Sequence, residues 1–179
     1  MAVPVASVLC WPTYDPQPPA GDANRAAMNP TSRDPAAMFQ REYEGDVGTL
    51  RVARRDAVEW MTELGADDET KERAALIVSE LTSNAIQAAP GRTYHLQLTL
   101  RDDGSATISV RNHPTGSRPP PRELWRAAPH SPLRKLLPRG RGLAIVDSLS
   151  EDVTVEHHGD DVVMTARVRI DYKELGPSW

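Results

Sequence analysis

The sequence feature that most constrains the fold is a pair of alternating segments joined by a tight turn. Tyr94–Leu100 (YHLQLTL) places an apolar or aromatic side chain at every second position, and Ala106–Val110 (ATISV) repeats that alternation. The Arg101–Gly104 segment (RDDG) between them ends in Asp-Gly, a frequent hairpin turn. A period of two is typical of half-buried strands. This stretch therefore predicts an antiparallel hairpin with one face against a core.

An amphipathic helix is predicted before the hairpin, over residues 50–64. Apolar side chains recur there at spacings of three and four, Asp46 is placed to act as the N-cap, and Gly65 marks the end. Three arginines lie off the apolar stripe and form either a solvated face or a partner site. They are Arg51, Arg54 and Arg55.

A second helix is predicted to begin at Asp67 or Asp68, to run to about Ala89 and to stop at Pro90-Gly91. Glu80 and Asn84 lie about 100° around this helix from its apolar stripe, at the edge of the buried face. The stripe itself consists of Ala74, Val78, Leu81, Ala85 and Ala89.

The remaining periodic segments complete a small sheet. Met38–Glu44 (MFQREYE) alternates as a first strand, Gly142–Leu149 is a short helix, and residues 152–156 and 162–170 form a last hairpin. The order of elements is strand, two helices, two strands, helix, two strands. This order predicts an α+β fold, a two-layer sandwich in which helices cover one face of a mostly antiparallel sheet.

The segments outside this pattern are rich in proline. Residues 1–37 show no period and predict a disordered tail, in which Trp11 and Tyr14 are either a docking motif or accidental aromatics. Residues 113–139 are also basic, with a short helix expected at Glu123–Ala128. So long a connection predicts a lid, unless it is a solvated, disordered loop. The folded domain is expected to span residues 38–171, followed by a C-terminal tail over 172–179.

Composition limits the classes of function. A formal net charge of -4 argues against a general nucleic-acid binder, which usually carries a concentrated basic surface. The single cysteine, Cys10, excludes a disulfide framework and a Cys-based metal site, and it fits a reducing cytoplasm. No stretch approaches the roughly 20 apolar residues of a membrane span, and the N-terminus is a poor signal peptide. We therefore expect a cytoplasmic protein without direct contact to nucleic acid or membrane.

Glu80 and Asn84 are the first candidate site. At positions i and i+4 of one helix their side chains point the same way. A carboxylate beside an amide oxygen suits Mg²⁺ with phosphate oxygens around it, and the carboxylate can instead be the base of a phosphoryl transfer. An isolated pair of this kind also occurs by chance on a helix surface. Its placement favours a site, because asparagine has poor helix propensity and yet lies beside the buried stripe.

Gly140 and Gly142, on either side of Arg141, are the second candidate site. Glycines before a helix let backbone amides approach an anion, and the helix dipole favours negative charge there. Taken alone, the pair fits a flexible loop end equally well. The chain has no Walker A loop, and it lacks the leading strand and third glycine of the dinucleotide fingerprint.

Together these segments resemble the GHKL (Bergerat) ATP-binding fold. The resemblance rests on ELTSNA at Glu80–Ala85, a polar break at Asn112–Gly116 and GRGLAIVD at Gly140–Asp147. Within that superfamily the chain looks most like the small anti-sigma-factor serine kinases of bacterial partner switching. The resemblance covers about residues 39–171.

The resemblance implies roles for individual residues. Glu80 would be the general base and Asn84 the Mg²⁺ ligand. Asn112 falls where the family usually has the Asp that accepts the adenine amino group, and Gly116 matches the second glycine of the box that follows. The implied cofactors are ATP and Mg²⁺. The segment that meets the phosphates would comprise Gly140, Arg141, Gly142 and Leu143.

The implied partners are a sigma factor, which the family sequesters, and an anti-sigma antagonist with a STAS domain, which it phosphorylates on serine. Relatives are often homodimers. Three departures fall near the adenine end: Asn112 in place of the charged acceptor, Pro114 in place of the box's first glycine, and Ala88 where many relatives have histidine. The hydrogen bond to adenine becomes a neutral one, at a cost of about 1 kcal/mol.

These residues leave four functions open. The first is an ATP-dependent protein-serine kinase and anti-sigma factor, which Glu80 and Asn84 support. The second is a catalytically degenerate binding module that captures a sigma factor or STAS partner without ATP turnover, which Asn112 and Pro114 support. The third is the catalytic domain of a sensor histidine kinase, and the fourth is a plain α+β domain without nucleotide. The intact base and metal ligand lead us to favour the serine kinase.

Overall fold

The computed structural model describes residues 38–115 and 141–173, and these ranges contain five strands and three helices. Residues 116–139 of the predicted lid, including its short helix, lie outside the described residues, as do the N-terminal tail and residues 174–179. No helix in the described part of the chain is long and apolar enough to cross a membrane. In chain order the elements are β1 (Met38–Tyr43), α1 (Thr49–Glu63), α2 (Asp68–Ala88), β2 (Tyr94–Leu100), β3 (Ser105–Asn112), α3 (Arg141–Leu149), β4 (Asp152–His158) and β5 (Asp161–Arg169).

The five strands form one sheet in the order β1, β2, β3, β5, β4, and every neighbouring pair is antiparallel. The predicted hairpin lies at its centre, where Leu96 of β2 pairs with Val110 of β3. On the other side of β3, Asn112 pairs with Val162 at the start of β5. The predicted α+β fold with a mostly antiparallel sheet is confirmed.

The core lies between the apolar face of this sheet and the helices. Alternate strand residues such as Leu96, Ile108 and Ala166 are fully buried. Helix α2 contacts β2, β3 and β5, while α3 contacts α2, β4 and β5. The apolar stripe predicted for α2 is buried from Ala74 to Ala85, as its spacing requires. The side chains beside that stripe are therefore held at the edge where α2 meets α3.

The amino end of α2 is fixed by a cap and by the last described residues of the chain. Asp67 is the N-cap, and its carboxylate accepts a hydrogen bond of 2.8 Å from the backbone N–H of Thr70. This bond is the largest cause that holds the pKa of Asp67 below its ordinary value. The Asp67 N–H donates to the carbonyl of Asp171 at 2.8 Å, and the Lys173 N–H donates to the carbonyl of Gly65 at 3.2 Å. The helix that carries both candidate residues is thus anchored at its start.

A buried polar cluster joins β1 to α1. Asp56 is only 5% exposed, and its Oδ2 accepts hydrogen bonds from Arg41 at 2.7 Å and from the Tyr43 hydroxyl at 2.8 Å. Burial first, and then the bond to Asp56, raise the pKa of Tyr43 far above its ordinary value. The Tyr43 ring also stacks on that of Tyr94 of β2, with 5.3 Å between centroids. This cluster holds the edge strand against the helical layer.

Among the boundaries that differ from those predicted, two concern the start of α1 and the end of β3. The N-cap of α1 is Gly48 rather than Asp46, and the Asp46 carboxylate instead accepts the Gly48 N–H at 2.6 Å in the turn before the helix. Strand β3 continues two residues past Val110, to Asn112, because its ladder with β5 extends to Val162. The second difference matters for the site, since it places Asn112 inside the sheet.

Candidate functional site

Glu80 and Asn84 lie one turn apart on α2, both half-buried beside α3. Asn84 Nδ2 is fully buried and has no hydrogen-bond partner among the described residues. Within the same residues, no hydrogen bond or ion pair engages the Glu80 carboxylate. A buried polar group without a partner costs about 1–3 kcal/mol. Such groups in native proteins usually await a ligand, an ion or water.

Gly142, the second residue of α3, lies directly against this pair. A Cβ built on Gly142 would be 2.5 Å from Glu80 Oε2 and 3.7 Å from Asn84 Nδ2. A separation below 3.0 Å is one that real Cβ atoms essentially never show. Glycine therefore lets the Glu80 carboxylate lie against the start of α3, where a Cβ would push it aside. The two sequence motifs meet at this point.

The Glu80–Asn84 pair lies at the amino end of α3. The first turn of α3 carries no acidic residue, whereas the first turn of α2 carries Asp68 and Glu69. Free N–H groups and a partial positive charge are expected at the amino end of any helix. A negatively charged ligand placed between Gly142 and Asn84 would meet donors from both helices.

The carboxyl end of α2 is tied to the end of β3. Asn112 is 4% exposed, and its Nδ2 donates to the carbonyl of Ala85 at 3.3 Å. Three residues on, the Thr115 N–H donates to the carbonyl of Ala88 at 3.0 Å. We name this set of four residues, Asn112, Thr115, Ala85 and Ala88, the β3–α2 tie. It was missed by sequence reasoning, because no local pattern links residues 27 positions apart.

The loop after β3 is also held from the sheet side. His113 Nδ1 lies 3.1 Å from Asp161 Oδ1, at the start of β5. An open pocket of about 220 Å³ lies beside this loop. Asn112 does not line it. Its lining residues are His113, Pro114, Thr115, His157, Gly159, Asp160 and Val162.

The remaining predicted site residues are placed unevenly. Gly116 and Gly140 lie outside the described residues, and of Arg141 the structure describes only its place as the first residue of α3. Leu143 is 5% exposed and belongs to the hydrophobic core. Any contact of Leu143 with a ligand would therefore come from its backbone.

The residues present fit a nucleotide phosphate and Mg²⁺ at one end of the site. Asn84 supplies an amide whose N and O exchange places on rotation, so it can bind a cation through oxygen or donate to phosphate. No group of three His, Cys, Asp or Glu in the described ranges could hold a metal ion. Mg²⁺ needs no such group beside a nucleotide, because it keeps several waters and takes only one or two protein ligands.

Comparison with known proteins agrees with this fold. The model of one family, the histidine kinase-like ATPase domain, matches residues 43–166. The solved structure of the RsbU and RsbW domains of Rv1364c from Mycobacterium tuberculosis is similar, with a TM-score of 0.55 at 17% identity. The match covers 74% of this chain, which spans about a third (32%) of that one. The SiaB-SiaC complex from Pseudomonas aeruginosa gives a TM-score of 0.50 at 13% identity, over 72% of this chain and 88% of the other.

At these identities the two structures show the fold alone, and comparison with curated proteins finds no match. The family model covers well over half of the chain, from the end of β1 to within β5. It includes both helices that meet at Gly142. On this match, and with its five-stranded antiparallel sheet covered by helices, the chain belongs to the histidine kinase-like ATPase domain family.

Proposed function

We propose that the protein is an ATP-binding anti-sigma regulator with serine kinase activity. It phosphorylates a STAS-domain anti-sigma antagonist and sequesters a sigma factor. The observation that carries the proposal is the contact at Gly142, which brings an unpaired carboxylate and a buried, unpartnered amide of the described residues to the amino end of α3. These are the groups that a phosphoryl transfer from a nucleotide requires.

Glu80 is the proposed base. Its carboxylate is half-buried and held by no hydrogen bond or ion pair among the described residues, so it is free to accept the proton of an incoming serine hydroxyl. Asn84 is the proposed Mg²⁺ ligand, one turn away on the same helix. The amino end of α3, from Arg141 to Leu143, is proposed to meet phosphate through its backbone, together with Gly140.

ATP bound with Mg²⁺ would supply the phosphoryl group that is transferred. Residues of this chain then have separate tasks along α2. Glu80 handles the proton, Asn84 orients the phosphate end, and Gly116 contacts the adenine base. Glu80 and Ala88, which lies at the tied end of α2, are eight residues apart, or about 12 Å along the helix axis. That separation suits a nucleotide lying along α2 with its base toward β3.

The partners are proposed from the resemblance and supported by the solved structures. One similar structure contains an RsbW domain and the other is a complex of SiaB with SiaC. A protein that switches between a sigma factor and an antagonist would act in the cytoplasm without touching nucleic acid directly. A homodimer is proposed as well, because the resemblance implies one.

The residues expected to hold the adenine base favour a second function. The neutral Asn112 amide stands where a charged acceptor is expected, and the Ala85 carbonyl accepts from its Nδ2. Pro114 stiffens the loop that follows. A protein with these features would capture its sigma factor or STAS partner without turning over ATP. The two proposals differ in one measurable property, the transfer of phosphate.

The test uses the full chain, radiolabelled ATP with Mg²⁺, and the STAS-domain proteins of the same genome. The kinase proposal predicts labelled phosphoserine on one of them, and loss of the label with Glu80→Gln. Glu72→Gln, an exposed glutamate two turns earlier on α2, is the matched control and should leave the label unchanged. Partner binding without label in the wild type would replace the kinase with the binding module.

A further inference from the structure

The carboxyl end of α2 lacks a cap of its own. Its C-cap residue, Ala89, has φ -144° and ψ 69° rather than the left-handed conformation of a common glycine cap, and its last turn has no basic residue. The final carbonyls of a helix have no partner within the helix. They must be satisfied from elsewhere, and Ala88 is the last residue of α2.

The β3–α2 tie supplies the partner of the Ala88 carbonyl and gives the Ala85 carbonyl a second donor besides the Ala89 N–H. The carbonyl of Ala85 accepts the Ala89 N–H at 3.1 Å and Asn112 Nδ2 at 3.3 Å. The carbonyl of Ala88 accepts the Thr115 N–H at 3.0 Å and lies 3.4 Å from its hydroxyl. Side chain and backbone of a strand end thus cap the helix from outside. Ala85 directly follows Asn84, so the capped turn is the one that holds the proposed metal ligand.

Asn112 can do this only as an amide. Its Nδ2 faces a carbonyl oxygen, which accepts hydrogen bonds but cannot donate. An aspartate of the same shape would put a second acceptor there, with a negative charge in a residue that is 4% exposed. An ionised aspartate at position 112 would therefore lose the hydrogen bond to the Ala85 carbonyl.

We propose that Asn112 is a positioning residue, which caps α2 from outside the helix and thereby holds Asn84, and that aspartate cannot replace it. This inference deepens the proposed function, and its nucleotide readout rests on that function. It contrasts with the role implied by resemblance, in which a carboxylate at this position binds the base. If position 112 binds the base, Asn112→Asp would restore affinity for ATP. If Asn112 is a positioning residue, the same substitution lowers affinity for ATP.

The experiment compares wild type with Asn112→Asp and Asn112→Ala. The matched control is Gln87→Glu, which makes the same change from amide to carboxylate on the exposed side of the same helical turn. Asn112→Ala should lower Tm by about 2–4 °C, the effect of one lost hydrogen bond in a chain of this size. Asn112→Asp should lower it further. Gln87→Glu changes only an exposed hydrogen bond to Ser83 and adds a charge in the last turn of α2, so it should lower Tm less than either Asn112 variant. Hydrogen exchange at the amides of Ala89 and Thr115 should be faster in both Asn112 variants than in wild type, and it should not change in Gln87→Glu.

Binding of a non-hydrolysable ATP analogue, measured with Mg²⁺ and with EDTA, separates positioning from base contact. Positioning predicts that the affinity gained on adding Mg²⁺ shrinks about threefold to tenfold in both Asn112 variants, because Asn84 is displaced. If Asn112 instead contacts the adenine base, both variants should lose the same affinity with Mg²⁺ as without it. Tighter binding by Asn112→Asp with an unchanged Tm would overturn the inference. If wild type binds no nucleotide, the proposed function fails, while Tm and exchange still decide whether Asn112 caps α2.

Discussion

Replacing Gly142 by alanine separates the site from the fold most cleanly. The added Cβ would lie 2.5 Å from Glu80 Oε2, and the carboxylate must retreat by at least 0.5 Å to reach 3.0 Å, the limit for real Cβ contacts. The atom that must move is the far end of a flexible side chain rather than backbone. The strain is therefore relieved by rotating Glu80 away, at the expense of its position as a base.

Stability should hardly change in this variant. Alanine is favoured over glycine in a helix by up to about 1 kcal/mol, which offsets the small rearrangement of Glu80. Activity should change strongly, because a positioned general base contributes about 10²–10⁴-fold to a proton transfer. Gly142→Ala is thus expected to keep its Tm within a few degrees and to lose at least about 10²-fold in phosphoryl transfer.

The assay measures Tm and the rate of phosphate transfer from ATP on the same preparations. Ser148→Ala is the matched control, since it alters an exposed residue of the same helix far from Glu80. The reasoning is refuted by a Gly142→Ala protein that transfers phosphate at the wild-type rate. A variant that fails to fold would equally contradict the view that only Glu80 has to move.

Three further predictions concern single residues. Glu80→Gln should abolish phosphoryl transfer and leave binding of the Mg²⁺ complex of ATP intact, as calorimetry can show; loss of binding would mean that Glu80 is a ligand rather than a base. Asp67→Ala should lower Tm at neutral pH, because Thr70 loses its acceptor. Since the folded-state pKa of Asp67 is lowered, its stabilisation is present above about pH 4 and is lost as pH falls through that pKa, so the Tm difference should shrink under acid conditions. Asp56→Ala should cost about 1–3 kcal/mol in chemical unfolding, because the buried Tyr43 hydroxyl loses its partner, and an unchanged midpoint would contradict this.

Much of the fold could be predicted because apolar residues recur along the chain with the short periods of strands and helices. The residues of β2 (Tyr94–Leu100) are buried and half-buried in turn, as their alternation predicts. The cap at Asp67 depends on a local hydrogen bond. Glu80 and Asn84 could be paired because a helix brings positions i and i+4 together. Their encounter with Gly142 could be expected only through the resemblance, since helix contacts depend on the whole chain path.

The parts that could not be predicted depend on tertiary contacts. Asn112 was interpreted as a base contact, and the structure shows in addition that its amide donates to Ala85. No sequence pattern around Ala89 predicts that residues of β3 contact the carboxyl end of α2. The same holds for Asp56, a buried acid whose partners lie on a strand that precedes it. Gly116 and Gly140 lie outside the described residues, so their proposed contacts stay predictions.

Titration of wild type and Asn84→Ala with ATP in the presence of Mg²⁺ tests the central claim most directly. The Asn84 amide, buried and unpartnered among the described residues, and the Glu80 carboxylate at Gly142 predict that wild type binds and that Mg²⁺ strengthens binding. Asn84→Ala should bind about tenfold more weakly or worse, the loss expected for a contact to a charged group. Equal affinities for the two proteins, or no binding by wild type, would contradict the account.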